Sequence, residues 1–368
     1  VLDTGVDYLH EDIKDNMVSD GAHHGYDFAG DDNGNNDDVP MPDTPYREKG
    51  HYHGTHVAGT IAATSGNGRG IEGIAPNVKI LALKVFRPKG YGYASDILEA
   101  YDYVAKKKKE GMNIVAVNAS YGTTSGNQND SQNKAIKKLG DLGIVFCAAA
   151  GNDGSNNDAK PHYPSSYDAS NIIAVAASDQ DDELANFSNY GKNSVDIAAP
   201  GTNILSIIPP ENSDETHNDY AYLNGTSMAT PNVAGTIALL ASKYPDKSAK
   251  ELKDLLLDGA DLKSQFNGKL VVAGRVNAFN SLKSKNTAPT ANNDSAKVKA
   301  RNSVNIDVLA NDTDKEGDTL TIKSVATPSK GSASIENEKV KYTANNGTSG
   351  TDTFSYTISD GEKTASAN

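Results

Sequence analysis

The sequence predicts an α/β protein, a three-layer sandwich around a mainly parallel sheet, followed by a small all-β sandwich. Three observations carry this. Across residues 1–283 short apolar runs of strand length alternate with helix-patterned segments, the spacing of a parallel sheet with helices on both faces. Past residue 283 the helical patterns stop, leaving short strand-like runs and turns. The length of 368 residues also exceeds what one core usually holds, so two domains are expected. Composition places them at residues 1–283 and 290–368, with a polar linker at 284–289.

Charge and composition narrow the function classes. Lys and Arg number 35 against 48 Asp and Glu, a formal net charge of −13 at pH 7. That balance argues against a nucleic-acid partner and suits a solvated acidic surface. No apolar run approaches the ~18 residues a membrane helix needs, so no membrane span is expected. Cys147 is the one cysteine and lies in an apolar run; it excludes an intrachain disulfide and reads as a small core side chain. The lysines at 106–109 suit the C-terminal end of a helix, where cations complement the dipole. With no initiator Met before Val1 and an end just after a strand-like run at 353–358, the sequence reads as a piece of a longer precursor.

In chain order, Val1-Leu2-Asp3 reads as a strand ending in an acid and a turn. An acidic stretch rich in Gly and Asn follows at 30–43, then a small-residue helix from about His53 to Ala63. Strands are expected at 79–86, 113–120, 144–150, 172–177 and 195–199, and helices at 95–110 and 131–142. Asn224 and Gly225 suit a tight turn before a buried helix at 228–244, with Pro231 taken to lie in its harmless first turn. Ser248 and Glu251 form a capping box for one more helix closed near Gly259. In the second domain, strands are expected at 304–309, 319–325, 339–343 and 353–358.

Strand ends of open parallel sheets face the active site, and four residues stand at strand ends or helix starts. Ser227 opens a helix, where free N–H groups favour an anion. His53 opens another beside Gly54, which allows close approach. Asp3 ends a strand, and Asn152 ends a buried strand at a glycine turn. Each has a bland alternative: Ser227 and His53 as helix caps, Asp3 and Asn152 as turn residues. Together they supply what amide hydrolysis by serine needs: a nucleophile, a base, an acid to orient it, and an oxyanion donor.

The boxes V-L-D-T-G-V-D around Asp3, H-G-T-H-V-A-G-T from His53, A-A-A-G-N-D-G around Asn152 and N-G-T-S-M-A-T-P from Asn224 stand in one order. Through them residues 1–282 resemble the subtilisin-like serine proteases. The resemblance implies that Asp3 orients, His53 is the general base, Ser227 attacks, and Asn152 forms the oxyanion hole with the Ser227 N–H. His56 is read as structural. Gly90-Tyr91-Gly92 and Ser120-Tyr121-Gly122 match the two edge segments that pair with an extended peptide, and Gly151 and Asp153 flank the oxyanion asparagine. Such backbone pairing implies broad specificity. An exposed charge pair at Asp153 is worth ~0–1 kcal/mol and burial of a large apolar P1 side chain roughly 1.5–3 kcal/mol, so large P1 residues are expected to win. Two positions depart from the family: Tyr52 and His162 stand where glycine is common.

The same resemblance implies structural calcium. Asp12 matches a family ligand and residues 64–70 the loop that supplies carbonyl oxygens. Asp27, Asp31, Asp32 and Asp37 make an oxygen-rich stretch that suits a hard cation or is simply a solvated acidic loop. In the second domain N-T-A-P-T-A-N-N-D, D-V-L-A-N-D-T-D-K-E-G-D and G-T-D-T-F-S-Y-T-I-S-D-G resemble bacterial cadherin-like or Ig-like repeats. Such domains are spacers or adhesive modules, which implies an insoluble or cell-surface ligand. The expected whole is a secreted, monomeric bacterial serine endopeptidase acting on proteins and peptides. The rival is a non-catalytic adhesion protein with a protease-like scaffold, which reaction of Ser227 with a fluorophosphonate would exclude.

Overall fold

Alternate residues of the central strands face opposite layers, and this sets the architecture. Val145 and Cys147 pack in one core with Ile173, Val175, Val233 and Ile237, whereas Phe146 and Ala148 pack in another with Tyr101, Val104, Ile136 and Leu139. The computed structural model describes residues 1–19, 23–30, 36–43, 50–87, 90–211, 216–283, 287–315 and 317–368. It divides into two units, Val1–Leu282 and Lys283–Asn368.

The elements of the first unit are β1 (Leu2–Asp3), β2 (Gly25–Asp27), α1 (His53–Ala62), β3 (Ala82–Lys84), α2 (Ala94–Lys109), β4 (Ala116–Ala119), α3 (Ser131–Asp141), β5 (Val145–Ala149), β6 (Ile172–Ser178), β7 (Ile197–Pro200), β8 (Ile204–Ile208), β9 (Asp219–Leu223), α4 (Thr226–Lys243), α5 (Ala249–Asp258), β10 (Asp261–Leu262), β11 (Gly274–Arg275) and α6 (Ala278–Leu282). The main sheet runs β10-β11-β7-β6-β5-β4-β1-β3-β2. Its neighbours pair in parallel except β10 with β11. Helices α1, α4 and α5 cover one face, α2 and α3 the other. The order β4-β1-β3 puts the ends of β1 and β4 side by side at the middle of the sheet, where a cleft forms. The capping box of α5 is present with both of its reciprocal bonds.

At several elements the structure differs from the sequence reading, and β2 was not expected. The antiparallel hairpin β8–β9 was not anticipated. The strand expected at 79–86 is confined to Ala82–Lys84. Helix α4 starts at Thr226, so Pro231 is its sixth residue and lies past the first turn. There its missing N–H does matter, because the carbonyl of Ser227 loses its helical donor.

In the second unit β12 (Ser303–Ile306), β15 (Lys339–Ala344) and β14 (Gly331–Glu336) make one antiparallel sheet, and β13 (Thr321–Val325), β16 (Tyr356–Ser359) and β17 (Thr364–Ala367) another. Val308, Val340, Tyr356, Ile358 and Ala367 are its buried core.

Candidate active site

Asp3 ends β1 with its side chain only 2% exposed, and its Oδ1 accepts the N–H of Thr4 at 2.8 Å. Helix α1 begins at His53, which hangs the imidazole over that strand end. Nδ1 lies 2.8 Å from Oδ1 and 3.0 Å from Oδ2 of Asp3. An ionised carboxylate only accepts, so Nδ1 carries the proton and Nε2 keeps a lone pair. The approach of helix to strand depends on Gly54. A Cβ there would stand 2.3 Å from the Gly5 carbonyl oxygen and 2.9 Å from Cβ of Asp3. Burial works to lower the pKa of His53, but the charge of Asp3 and its hydrogen bond outweigh this and the pKa is raised above its ordinary value.

Ser227 lies in the first turn of α4. Its hydroxyl donates to the Ser120 carbonyl at 2.9 Å, and the Ser120 hydroxyl donates back to the Ser227 carbonyl at 2.8 Å. The second bond exists because Pro231 leaves that carbonyl open. Asn118 Nδ2 donates to the Ser120 hydroxyl at 2.9 Å and so fixes it as donor toward Ser227. Asn152 is oriented from the helix start: its Oδ1 accepts the N–H of Thr226 at 2.8 Å and the Thr226 hydroxyl at 3.0 Å. A Cβ on Gly225 would stand 3.6 Å from the Ser227 N and 3.7 Å from Asn152 Nδ2, so these two donors lie near one point at the start of α4.

Asp3, His53, Gly90, Tyr91, Gly92, Ser120, Tyr121 and Gly122 line a single cleft of about 560 Å³. Gly92 must be glycine because a Cβ would stand 2.6 Å from the Phe86 ring. Tyr91 is 70% exposed, a side chain standing over the opening. Gly151, at φ +108°, donates to the Thr226 hydroxyl at 3.2 Å and so backs the oxyanion asparagine. Asp153 is exposed, with its N–H bound to Asn189 Oδ1 at 2.9 Å. His56 is fully buried and holds β8 and β9 through the Ile204 and Ala221 carbonyls, at 3.0 and 3.1 Å from Nε2. Burial drives its pKa down to about 4, so it stays neutral and structural.

The carboxylates expected to hold calcium fare differently. Asp27 does not open onto an oxygen cage: its Oδ2 lies 2.8 Å from Nζ of the buried Lys84, and its Oδ1 accepts the N–H groups of Ala29 and Gly30. A cation is thus already supplied by the chain, as a lysine from β3. Asp12 sits under the 64–70 loop, accepting from Asn67 Nδ2 at 2.7 Å, the Ile71 N–H at 3.1 Å and the Tyr220 hydroxyl at 3.2 Å. Asp32 lies outside the described residues. Among the described residues no three His, Cys, Asp or Glu side chains converge as a metal-binding group.

Sequence reasoning missed Thr226 and Asn189 and, although it named Ser120, missed the contact Ser120 makes with Ser227. Thr226 turns the Asn152 amide, Ser120 braces Ser227, and Asn189 ties the 153–155 turn by accepting from the N–H groups of Asp153 and Ser155. Thr226 alone had a visible signal, as the neighbour of the nucleophile in N-G-T-S.

Comparison with known proteins gives the family of each unit. The model of the subtilase family matches residues 1–274, and that of the bacterial Ig domain matches residues 286–368. The thermophilic serine proteinase of Bacillus sp. (strain AK1) is 40% identical over 282 residues, 77% of this chain and 60% of that protein. Thermitase of Thermoactinomyces vulgaris is 38% identical over 279 residues, 76% of this chain and 86% of that protein. A solved structure of proteases from Pseudoalteromonas arctica PAMC 21717 superposes with a TM-score of 0.64 at 29% identity, covering 76% of this chain and 87% of its own. The chain belongs to the subtilase family, and through it to the serine endopeptidases.

Proposed function

We propose that the chain hydrolyses peptide bonds of extended protein substrates with broad specificity, using Ser227 as nucleophile, His53 as base, Asp3 as its orienting acid, and Asn152 with the Ser227 N–H as oxyanion hole. The observation that carries this is His53 Nδ1 held by both oxygens of the buried Asp3 at the wall of a peptide-sized cleft. A peptide strand laid along 120–122 presents N–H groups to its carbonyls. One that takes the Ser120 oxygen displaces the Ser227 hydroxyl, which turns to His53 Nε2. Oγ then attacks the carbonyl carbon while Nε2 takes the proton, and Asp3 stabilises the imidazolium. The imidazolium returns the proton to the leaving amine, and water repeats the sequence on the acyl-enzyme.

The test is covalent. A fluorophosphonate probe should attach to Ser227, located by peptide mass spectrometry, and His53→Ala should abolish labelling. An unlabelled, folded wild-type protein would favour the rival scaffold role. Secretion is part of the reading, supported by a relative named extracellular basic protease, from Dichelobacter nodosus, and by the lack of a helix among the described residues long and apolar enough to cross a membrane. In this reading Asp12, with carbonyl oxygens of the 64–70 loop that lies over it, would hold calcium as a structural ion. Excess EDTA should then lower Tm by mass action, and an unchanged melting curve removes the ion.

A further inference from the structure

Residues 152–154, the turn that carries Asn152, are exposed, so apolar packing does not fix them. Hydrogen bonds do, and one buried side chain supplies them on both sides of Asn152. Asn189 is 1% exposed, and its Oδ1 accepts the N–H of Asp153 at 2.9 Å and that of Ser155 at 3.0 Å. Its Nδ2 donates to the Ala150 carbonyl and to Asn157 Oδ1, both at 3.0 Å. Its backbone N–H donates to the Gly151 carbonyl at 2.9 Å. A side-chain amide has two lone pairs on oxygen and two N–H donors, and here all four are engaged. The two backbone N–H groups need an acceptor, which assigns Oδ1 to the 153–155 side.

The fit is close. A Cβ on Gly151 would stand 2.4 Å from Nδ2 and 3.1 Å from Cγ of Asn189. Asn157, also 1% exposed, donates to the Ala150 carbonyl at 2.8 Å, which leaves its amide oxygen to accept from Asn189 and hold that amide in its orientation. Behind it, the Ser188 hydroxyl accepts the Ala177 N–H of β6 at 2.9 Å and donates to the Asn189 carbonyl at 3.0 Å. The clasp is thus rooted in β6, the neighbour of β5, whose end leads into the turn. Thr226 holds the Asn152 side chain and the Gly151 N–H; the backbone past Asn152 is located by Asn189.

Resting on the peptidase reading above, we propose that Asn189 is a positioning residue for the reaction: by clasping residues 150, 151, 153 and 155 it sets where the Asn152 amide stands relative to the Ser227 N–H. It touches neither substrate nor reacting atoms and acts only through Asn152. Its effect belongs to the transition state. Donors aimed at a developing charge must be held within about 0.5 Å of their productive place, and they do their work only as that charge appears. Loss of the clasp should therefore lower kcat and kcat/KM together and leave KM near its wild-type value.

The experiment measures kcat and KM on one peptide for the wild type, Asn189→Ala, Asn152→Ala and the double variant. Asn189→Ala should lower kcat by about tenfold or more, toward the ~100-fold that a misplacement of about 1 Å costs, with KM within about twofold of wild type. Asn152→Ala should lower kcat by about 10²–10³, a size borrowed from the oxyanion asparagine of subtilisin, in this same family. Because Asn189 acts through Asn152, the double variant should be little slower than Asn152→Ala alone. A general loosening of the fold would instead multiply the two losses, and that outcome overturns the proposal, as does an unaltered kcat in folded Asn189→Ala. If alanine at 189 prevents folding, Asn189→Ser, which keeps a hydroxyl for one of the two N–H groups, goes through the same cycle and should show the same coupling to Asn152. Failure of the underlying reading looks different: Asn152→Ala leaves kcat unaltered and Ser227 takes no fluorophosphonate.

Discussion

Two of the Asp–His pairs among the described residues have their carboxylates four positions apart along the same turn. Asp3 holds His53 Nδ1 at 2.8 and 3.0 Å; Asp7 holds His217 Nδ1 at 2.8 and 2.7 Å. Both carboxylates are buried, at 2% and 0% exposure. By distance alone the second pair is as good an orienting dyad as the first. Their surroundings separate them. Asp3 and His53 line a cleft together with Ser120, whose carbonyl takes the hydroxyl of Ser227 at the start of α4. Around Asp7 and His217 the bonds run back into the chain: Asp7 N–H to the Thr55 hydroxyl at 2.9 Å, Leu9 N–H to the Asp7 carboxylate at 3.2 Å, and Glu11 N–H to the His217 carbonyl at 2.8 Å. That pair fastens the 7–11 turn to the segment before β9. The lesson is that an Asp–His contact is common structural hardware, and catalysis is conferred by what faces the other ring nitrogen.

The widest gap between the pairs should appear in kcat. Ser227→Ala should lower it by about 10⁶, the size known for subtilisin, a member of this same family and borrowed from it, and adding His53→Ala should cost little more. Near-wild-type turnover in Ser227→Ala would end the assignment. Next comes pH. His53 must be neutral to accept a proton, and its raised pKa places the rise of kcat/KM above the ordinary ~6.5, with about tenfold lost per pH unit below it. The same proton acts oppositely on stability: the contribution of the Asp3–His53 pair is present below the unfolded value and is lost as pH rises through the folded one. A profile that falls with pH across this range contradicts a histidine base.

His217→Ala should leave kcat of the folded protein within about twofold of wild type and lower stability by ~1–3 kcal/mol, because it strips a partner from a buried carboxylate. A kcat loss comparable to that of His53→Ala would make the second pair functional after all. Smallest of all is removal of the Ig-like unit. A chain ending at Lys285 should keep kcat/KM on short peptides within about twofold, since all four reacting and orienting residues precede it; a folded but inactive truncation would refute that boundary.

What was legible in the sequence, and what was not, follows the range of the contacts involved. Asp3, His53, Asn152 and Ser227 each sit in a short contiguous box, so the sequence could single them out, and of these the structure brings Asp3 against His53. Strand β14, Gly331–Glu336, is built of small and polar residues that are largely exposed, and its pairing to β15 over six positions makes it a strand. The start of α4 was placed two residues late because the apolar pattern begins at Met228. The helix is extended by bonds from Thr226 to an asparagine 74 residues away. Asp27 looked like a cation ligand until Lys84, 57 residues on, was brought against it by the β2–β3 pairing. His162 showed only as a departure; its position between Gly122 and Gly151 is set by segments 40 and 11 residues away.

Pro231 bears on where the nucleophile comes to rest. A helix packed on a sheet by apolar side chains alone has neighbouring resting positions separated by the ~1.5 Å rise per residue. Ser227 breaks that degeneracy, because Pro231 opens its carbonyl to the Ser120 hydroxyl. Sliding α4 by one residue would offer Ser120 a carbonyl already engaged within the helix. The proline therefore works as an index pin, keying Ser227 to the segment that follows β4. With its bonds to Ser120 running both ways, the position of Ser227 is referred to the 120–122 segment and not to the apolar packing behind α4.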